Sequence, residues 1–378
     1  MEPHPTSIAT RAGADIPSVP GSGSSLSESI DNVVSRTATT INESWAEVED
    51  ALASYPSEAA GPARLLSEMT GGKYLRSRLT AATYLGLGGT NLDACDALSA
   101  AVQLLHVGLC VHDDLIDGDV RRHGRPNAAG MASERALAEG GSVGRAAREA
   151  LTASVLAGDL AIARSQQLLL RAPLPADTRI ALADELLDAL GTTIGGEWLD
   201  VRSETAPPLE VPTDAIAELK TARYTTVLPL RLGAIARGGV DPQTMNALQQ
   251  YGEALGIAYQ MKDDELGVFG DPDATGKSVT ADLRSGKRTG LLRLAFELGN
   301  DRERATLERL VGVSSLDEAG ADELRDALIT SGALAVHQER MAALVARAIG
   351  AIEAAPGILA DLRRYLTRGA ELVVPRES

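Results

Sequence analysis

From residue 28 onward, apolar and polar positions follow one another with a helical period. Ala101-Val102, Leu104-Leu105, Gly108-Leu109 and Val111 recur at intervals of three and four residues, the spacing that lines one face of a helix. Runs of Val, Ile and Thr in strict alternation between turn dipeptides, the mark of strands, do not occur. The helical pattern breaks where glycine and proline gather: Gly86 to Gly89, Gly124 to Pro126, Ala206 to Pro212 and Gly270 to Gly276. No repeat of fixed period interrupts it. The pattern predicts an all-α protein, one large single-domain helical bundle over residues 28–378. Residues 1–27 are rich in Ser, Pro, Gly and Thr without apolar periodicity, so a disordered N-terminal tail is expected there.

Composition narrows the function. The chain has 378 residues, is 44% hydrophobic, and carries a formal net charge of −16. A field of that sign repels nucleic acid and anionic lipid, so neither is an expected partner. An anionic substrate would need a local cationic pocket or bound metal ions. The two cysteines, Cys95 and Cys110, cannot form a disulfide framework, and Cys110 reads as a buried thiol. No transmembrane segment and no signal peptide are expected, which points to a soluble, cytoplasmic protein.

Two acidic segments carry the candidate chemistry. In His106-Val-Gly-Leu-Cys-Val-His-Asp-Asp-Leu-Ile-Asp117, Asp113 and Asp117 stand one helical turn apart on one face. Asp114 lies about 100° round from Asp113. Carboxylates at the end of an apolar helix repel each other and lose hydration unless cations neutralise them. Mg²⁺ suits such oxygen donors and completes its shell with water and phosphate. An EF-hand is excluded, because no glutamate stands at the twelfth loop position. Arg121 and Arg122 follow, placed to clamp a metal-bound diphosphate. Asp263-Asp264 stands 150 positions after Asp113-Asp114 and again follows an apolar helical stretch. Two matched pairs fit opposite walls of one cavity with metal ions between them. The glycine-rich stretch Gly270 to Ser278 is not a P-loop, since its spacing is wrong and no strand precedes it. Lys277, Lys287 and Arg288 read instead as cations near the same diphosphate. Gly71-Gly-Lys-Tyr-Leu-Arg76 supplies a second cationic pair, Lys73 and Arg76, expected to point into one anion site from i, i+3 positions.

These segments, in this order, resemble the trans-isoprenyl (polyprenyl) diphosphate synthase family over roughly residues 40 to 350: Gly71 to Arg76, Asp113 to Arg122, Lys220-Thr221, Gln260, Asp263-Asp264 and Lys277. The resemblance implies an isoprenoid-synthase helical fold, isopentenyl diphosphate and allylic diphosphates as substrates, and a homodimer. It implies three Mg²⁺ ions held by Asp113, Asp117 and Asp263, with Asp114 and Asp264 assisting. Arg121, Lys220, Lys277 and Lys287 would hold the allylic diphosphate. Lys73, Arg76, His106 and Arg122 would form the isopentenyl diphosphate site, and Thr221 and Gln260 would face the allylic cation. The chain departs from the family pattern at Gly267, where a third aspartate is usual, at Glu197, where glutamine is usual, and at Tyr74 and Ser77.

In this family the product grows along a tunnel beside the helix that ends in Asp113. The resemblance places Gly108 and Leu109 one turn below the metals, with Leu105 beyond. None is aromatic, so a product longer than fifteen carbons is expected, geranylgeranyl diphosphate first and a longer polyprenyl chain as the alternative. A class I terpene cyclase shares the metal chemistry but needs no second diphosphate site. A non-catalytic subunit of a heteromeric synthase typically lacks the first-motif aspartates, which are present here.

Overall fold

The structure, a computed structural model, describes residues 25–69, 71–122, 124–270 and 281–373. Sixteen α-helices run through these residues. They are α1 (Leu26–Ala51), α2 (Gly61–Met69), α3 (Leu75–Gly86), α4 (Leu92–Ile116), α5 (Ala128–Ala138), α6 (Val143–Arg171), α7 (Ala176–Ser203) and α8 (Thr213–Ile216). After α8 the chain continues as a π-helical segment, Ala217–Val227, directly into α9 (Leu228–Arg237). Then follow α10 (Pro242–Phe269), α11 (Ala281–Ser285), α12 (Gly290–Leu298), α13 (Asp301–Leu310), α14 (Glu318–Thr330), α15 (Ala333–Glu353) and α16 (Ala360–Glu371). The predicted all-α bundle is what the chain forms.

The helix ends follow from local sequence. Ser25 and Glu28 make a reciprocal capping box that starts α1, satisfying donors that a helix start leaves orphaned. Asn91 caps α4 through the Ala94 amide. Asp241 caps α10, with Pro242 at the first position, where its missing N–H costs nothing.

α4 is the central strut. It packs on α1, α3 and α6, while α10 packs on the π-helical segment and α15. The main core joins Leu98 and Leu105 of α4 to Leu182 and Leu186 of α7, Leu228 of α9 and Tyr251 of α10. Tyr251 is fully buried, and its hydroxyl donates to the Leu366 carbonyl at 2.7 Å, locking α16 onto α10. A smaller apolar cluster, including Val268, Leu291, Leu307 and Leu324, holds the C-terminal helices together.

One described helix, α4, is in fact long and apolar enough to cross a membrane. Most of it is buried against its neighbours, so its apolarity serves the protein interior. Among the described residues one short strand pairing stands beside the helices. Arg121 pairs with Pro126 and Arg122 with Arg125 in a two-residue antiparallel ladder, turned at Gly124, whose φ of 74° a glycine adopts without strain. The ladder folds Arg122 back towards the end of α4.

Candidate active site

The π-helical segment is the centre of the site. A π turn is wider than an α turn, is rare, and marks functional positions when it occurs. Here it needs glycines in the helices against it. A Cβ on Gly196 of α7 would lie 2.3 Å from the Lys220 amide nitrogen, and one on Gly256 of α10 would lie 2.5 Å from the Ala222 Cα. Both contacts are with the segment's own residues, so only glycine lets α7 and α10 approach this closely.

Lys220 and Thr221, adjacent on that segment, face two different carboxylate groups. The Lys220 ammonium lies 2.7 Å from Asp200, 2.8 Å from Glu197 and 3.3 Å from Asp113. Burial alone would lower its pKa, but Asp113, Asp200 and Glu197 outweigh that and raise it. On the other side, Thr221 Oγ1 donates to Gln260 Oε1 at 2.5 Å, and Gln260 Nε2 donates to Asp264 Oδ1 at 2.8 Å. The two acidic segments are thus joined through one lysine–threonine step. Lys220, Asp200, Gln260, Asp264, Lys287 and Arg288 line one cleft.

At the end of α4, Asp113 and Asp117 are one turn apart as expected, with the Asp117 amide bonded to the Asp113 carbonyl at 2.9 Å. Arg122 hydrogen-bonds Asp114 and lies 3.9 Å from Asp113. Burial pushes the Asp114 carboxyl up, against the pull of Arg122. Burial and the neighbouring Asp113 push Asp117 up to about 6. Burial likewise raises Glu197, opposed by Lys220. These groups are short of positive charge. Asp114 Oδ2 and Glu197 Oε1 are moreover buried with no hydrogen-bond partner.

That donor set fits Mg²⁺. Among the described residues no three His, Cys, Asp or Glu side chains could hold a metal by themselves. Mg²⁺ needs only one or two carboxylates when phosphate and water complete its shell. Unpartnered buried carboxylate oxygens beside Asp113 and Asp117 are the positions such an ion would satisfy.

A second cationic region lies against the same π-helical segment. The Arg76 guanidinium stacks 4.4 Å above the Tyr224 ring and donates to Thr225 Oγ1 at 2.7 Å. Its Nε is buried without a partner. His106 sits with its ring centroid 6.1 Å from that of Tyr224 and its Nδ1 3.3 Å from Cys110 Sγ. Cys110 is free and buried, as expected, and burial raises its pKa.

Several expected placements differ. Lys73 is not on a helix: α3 begins at Leu75, after Gly71 and Gly72 at φ 154° and 110° and Tyr74 at φ 52°. The helical i, i+3 argument for Lys73 and Arg76 therefore fails, and Lys73 is an exposed loop residue. Arg121 is exposed and donates to the Gly124 carbonyl at 2.7 Å, 4.0 Å from Glu134, so the hairpin takes it up. Gly108 does not leave open space beside α4. A Cβ there would meet Ile162 Cγ1 at 2.8 Å and the Gly158 carbonyl oxygen at 2.9 Å, so α6 fills the position. Leu109 is half-buried and Leu105 fully buried. Asp263 is exposed and Lys287 half-buried. Lys277 lies outside the described residues, as does most of the 1–27 tail.

Asp200 is the residue that sequence reasoning missed. Its signal was present, since Glu197 and Asp200 stand i, i+3 on α7 and so share a face.

Comparison with known proteins places this arrangement. A family model described as polyprenyl synthetase matches residues 63–328. The chain is 29% identical to farnesyl diphosphate synthase of Escherichia coli over 276 residues, 69% of this chain and 85% of that protein. It is 30% identical to octaprenyl diphosphate synthase of Haemophilus influenzae over 289 residues, 76% of this chain and 79% of that protein. A crystal structure of geranylgeranyl pyrophosphate synthase from Corynebacterium glutamicum, complexed with isoprenyl diphosphate and magnesium, superposes with a TM-score of 0.82 at 27% identity, over 90% of this chain and 99% of that one. The class is therefore the helical isoprenyl diphosphate synthases, enzymes that transfer prenyl groups. Within it, the chain belongs to the polyprenyl synthetase family.

Proposed function

We propose that this enzyme condenses isopentenyl diphosphate with an allylic diphosphate to give a trans-prenyl diphosphate longer than fifteen carbons, namely geranylgeranyl diphosphate. One observation carries the reading: acidic segments 150 positions apart meet across Lys220-Thr221, with a separate cationic region at Arg76 on the same segment. A cyclase needs the first feature only. The relatives' products, from farnesyl to octaprenyl, leave chain length to this chain's own residues.

In this reading Asp113, Asp114, Asp117, Asp263 and Asp264 hold Mg²⁺, three ions by family resemblance. When bound, Mg²⁺ supplies positive charge that stabilises the departing diphosphate. Lys220 and Lys287 bind the same leaving group, and Lys277 joins them. Arg76, His106 and Lys73 hold the isopentenyl diphosphate, with Arg122 anchored between the sites by Asp114. The allylic carbon–oxygen bond then ionises into an apolar, water-poor space. Oxygens of Thr221 and Gln260, fixed by their mutual hydrogen bond, face the carbocation. The isopentenyl double bond attacks that cation, forming the new carbon–carbon bond. A proton leaves the adjacent carbon for the departed diphosphate.

A homodimer completes the reading. Ile180, Leu187, Ile194 and Trp198 are 56%, 45%, 56% and 69% exposed and fall within about 40° of one another around α7. Leu151, Val155 and Leu170 of α6 are also exposed. Apolar stripes of this kind mark association surfaces.

The test is incubation of the purified protein with Mg²⁺, isopentenyl diphosphate and allylic primers of five to twenty carbons, with products identified by mass. A linear ladder ending at twenty carbons is expected. Hydrocarbon or alcohol formed from a primer alone would overturn the synthase reading in favour of cyclisation.

A further inference from the structure

His337 of α15 is completely buried, yet its ring is only half satisfied. Nε2 lies 2.8 Å from the Met261 carbonyl oxygen of α10. A carbonyl only accepts, so Nε2 carries the N–H and donates it. Burial lowers the pKa of the ring, which leaves it neutral at pH 7 with Nδ1 as an acceptor. Among the described residues Nδ1 finds no hydrogen-bond partner. A buried polar atom in that state is costly, and an apolar side chain would fill the same position without that cost. What the imidazole adds is the bond to Met261. Met261 and Glu265 bound the turn of α10 that carries Asp263 and Asp264. The Glu265 end is held as well, since its carboxylate accepts from Lys262 at 2.8 Å and from Gln338 Nε2 at 3.4 Å. Adjacent residues of α15 thus grip both ends of one turn. Three residues beyond His337, on the same face of α15, Arg340 pairs with Asp214 of α8, which leads into the π-helical segment. His337 and Arg340 line the same cleft as Lys220, Gln260 and Asp264. One face of α15 therefore braces both α10 and α8 from behind the site.

We propose that His337 is a positioning residue for the diphosphate end of the site: through the Met261 carbonyl it fixes the α10 turn on which Asp263 and Asp264 meet a metal-bound diphosphate. The inference rests on the synthase reading above. Asp263 is exposed, so its direction depends on the backbone turn beneath it. Constellations of this kind tolerate displacements of only about 0.5 Å. The isopentenyl side should be insensitive to His337, because Tyr224 and Thr225, not this turn, hold Arg76.

The experiment compares the full chain with His337→Leu, close to histidine in volume but without the N–H, and with His337→Gln, whose amide still donates towards Met261. Mg²⁺-dependent binding of inorganic diphosphate is followed by calorimetry, and KM is measured separately for the allylic primer and for isopentenyl diphosphate. In His337→Leu, diphosphate binding should weaken and the allylic KM should rise, each about tenfold, the usual effect of losing a group that orients metal-binding side chains. The isopentenyl KM and the thermal midpoint should stay near those of the unaltered enzyme. His337→Gln should recover most of the loss. If His337→Leu fails to fold, His337→Met takes its place, and failure of both would make the ring a folding requirement and overturn the proposal. An unaltered enzyme that elongates, with His337→Leu matching it in diphosphate binding and both KM values, overturns the proposal and leaves the synthase reading standing. A rise in both KM values together with a lower thermal midpoint, not recovered by His337→Gln, would make the role purely structural and overturn it too. An unaltered enzyme that gives no ladder overturns both.

Discussion

Glu197 holds one carboxylate oxygen 2.8 Å from the Lys220 ammonium while its other oxygen is buried without a partner. One positive charge is thus shared among Glu197, Asp200 and Asp113, leaving a local excess of negative charge beside the end of α4. Glu197→Gln keeps the shape and removes one charge. The Mg²⁺ concentration for half-maximal activity is expected to rise about tenfold, the usual scale for a group that supports a metal site without being indispensable to it. Calorimetric titration of Mg²⁺ into the protein without primer should show the same weakening. An unchanged Mg²⁺ dependence would mean that Glu197 serves Lys220 alone.

The Asp117 carboxyl gives a pH dependence in the metal-free protein. Its pKa is raised from 3.8 to about 6, by burial first and by Asp113 next. A carboxyl with a raised folded pKa binds its proton more tightly when folded, so its contribution to stability is fully present below pH 3.8. That contribution is lost as pH rises through about 6. In chelator, the thermal midpoint of the unaltered enzyme should therefore gain less, or fall further, between pH 4 and pH 6.5 than that of Asp117→Asn. Identical slopes for the two proteins would show that the carboxyl is not perturbed.

Gly195 and Gly196 are neighbours on α7 with opposite surroundings. A Cβ at 195 meets nothing within 4 Å, whereas one at 196 runs into the Lys220 backbone. Gly195→Ala should stabilise the enzyme by about 0.5–1 kcal/mol through helix propensity. Gly196→Ala should destabilise it by about 1–3 kcal/mol and cut turnover, because the π-helical segment must move. Urea unfolding curves separate the two, and equal effects would mean that the close approach of α7 is unimportant.

Arg122 neutralises Asp114, whose side chain is only 4% exposed. Arg122→Ala leaves that carboxylate buried and unpaired, at a cost of about 3 kcal/mol at neutral pH. The loss should shrink in acid, where protonated Asp114 needs no counter-ion. Urea unfolding in chelator at pH 7 and pH 4 measures both, and a cost independent of pH would point to lost packing instead.

The α7 stripe predicts the assembly state. Trp198→Glu places a charge at its most exposed large apolar residue, and sedimentation or light scattering should show a dimer for the unaltered enzyme and a shift to monomer for the variant. A monomer in both cases would remove the dimer from the reading.

Much of the site was legible in the chain. Carboxylates ending long apolar helices are costly, so Asp113-Asp114-Asp117 and Asp263-Asp264 stood out against their surroundings. Family resemblance led Thr221 and Gln260 to be expected facing one allylic cation, and the structure adds a hydrogen bond between them. Lys73 was misplaced because its i, i+3 spacing presumes a helix, which two glycines and a left-handed Tyr74 postpone. The outward turn of Arg121 depends on Gly124 reversing the chain, and residue type alone could not choose between its two arginines.

Taken alone, the sequence determined the all-helical class, the order of the elements and which charges had to find partners. Each depends on local periodicity or on the cost of burying an unpaired charge. Only the tertiary structure decided that a π-helical segment would bring Lys220 and Thr221 to separate carboxylate groups, since no residue pattern encodes its wider turn. It also decided that Asp200 would join Glu197 and Asp113, and that Ile162 would occupy the space left by Gly108. Those relations depend on how closely helices far apart in the chain can approach, which side-chain volume at the contact settles and one-dimensional spacing does not.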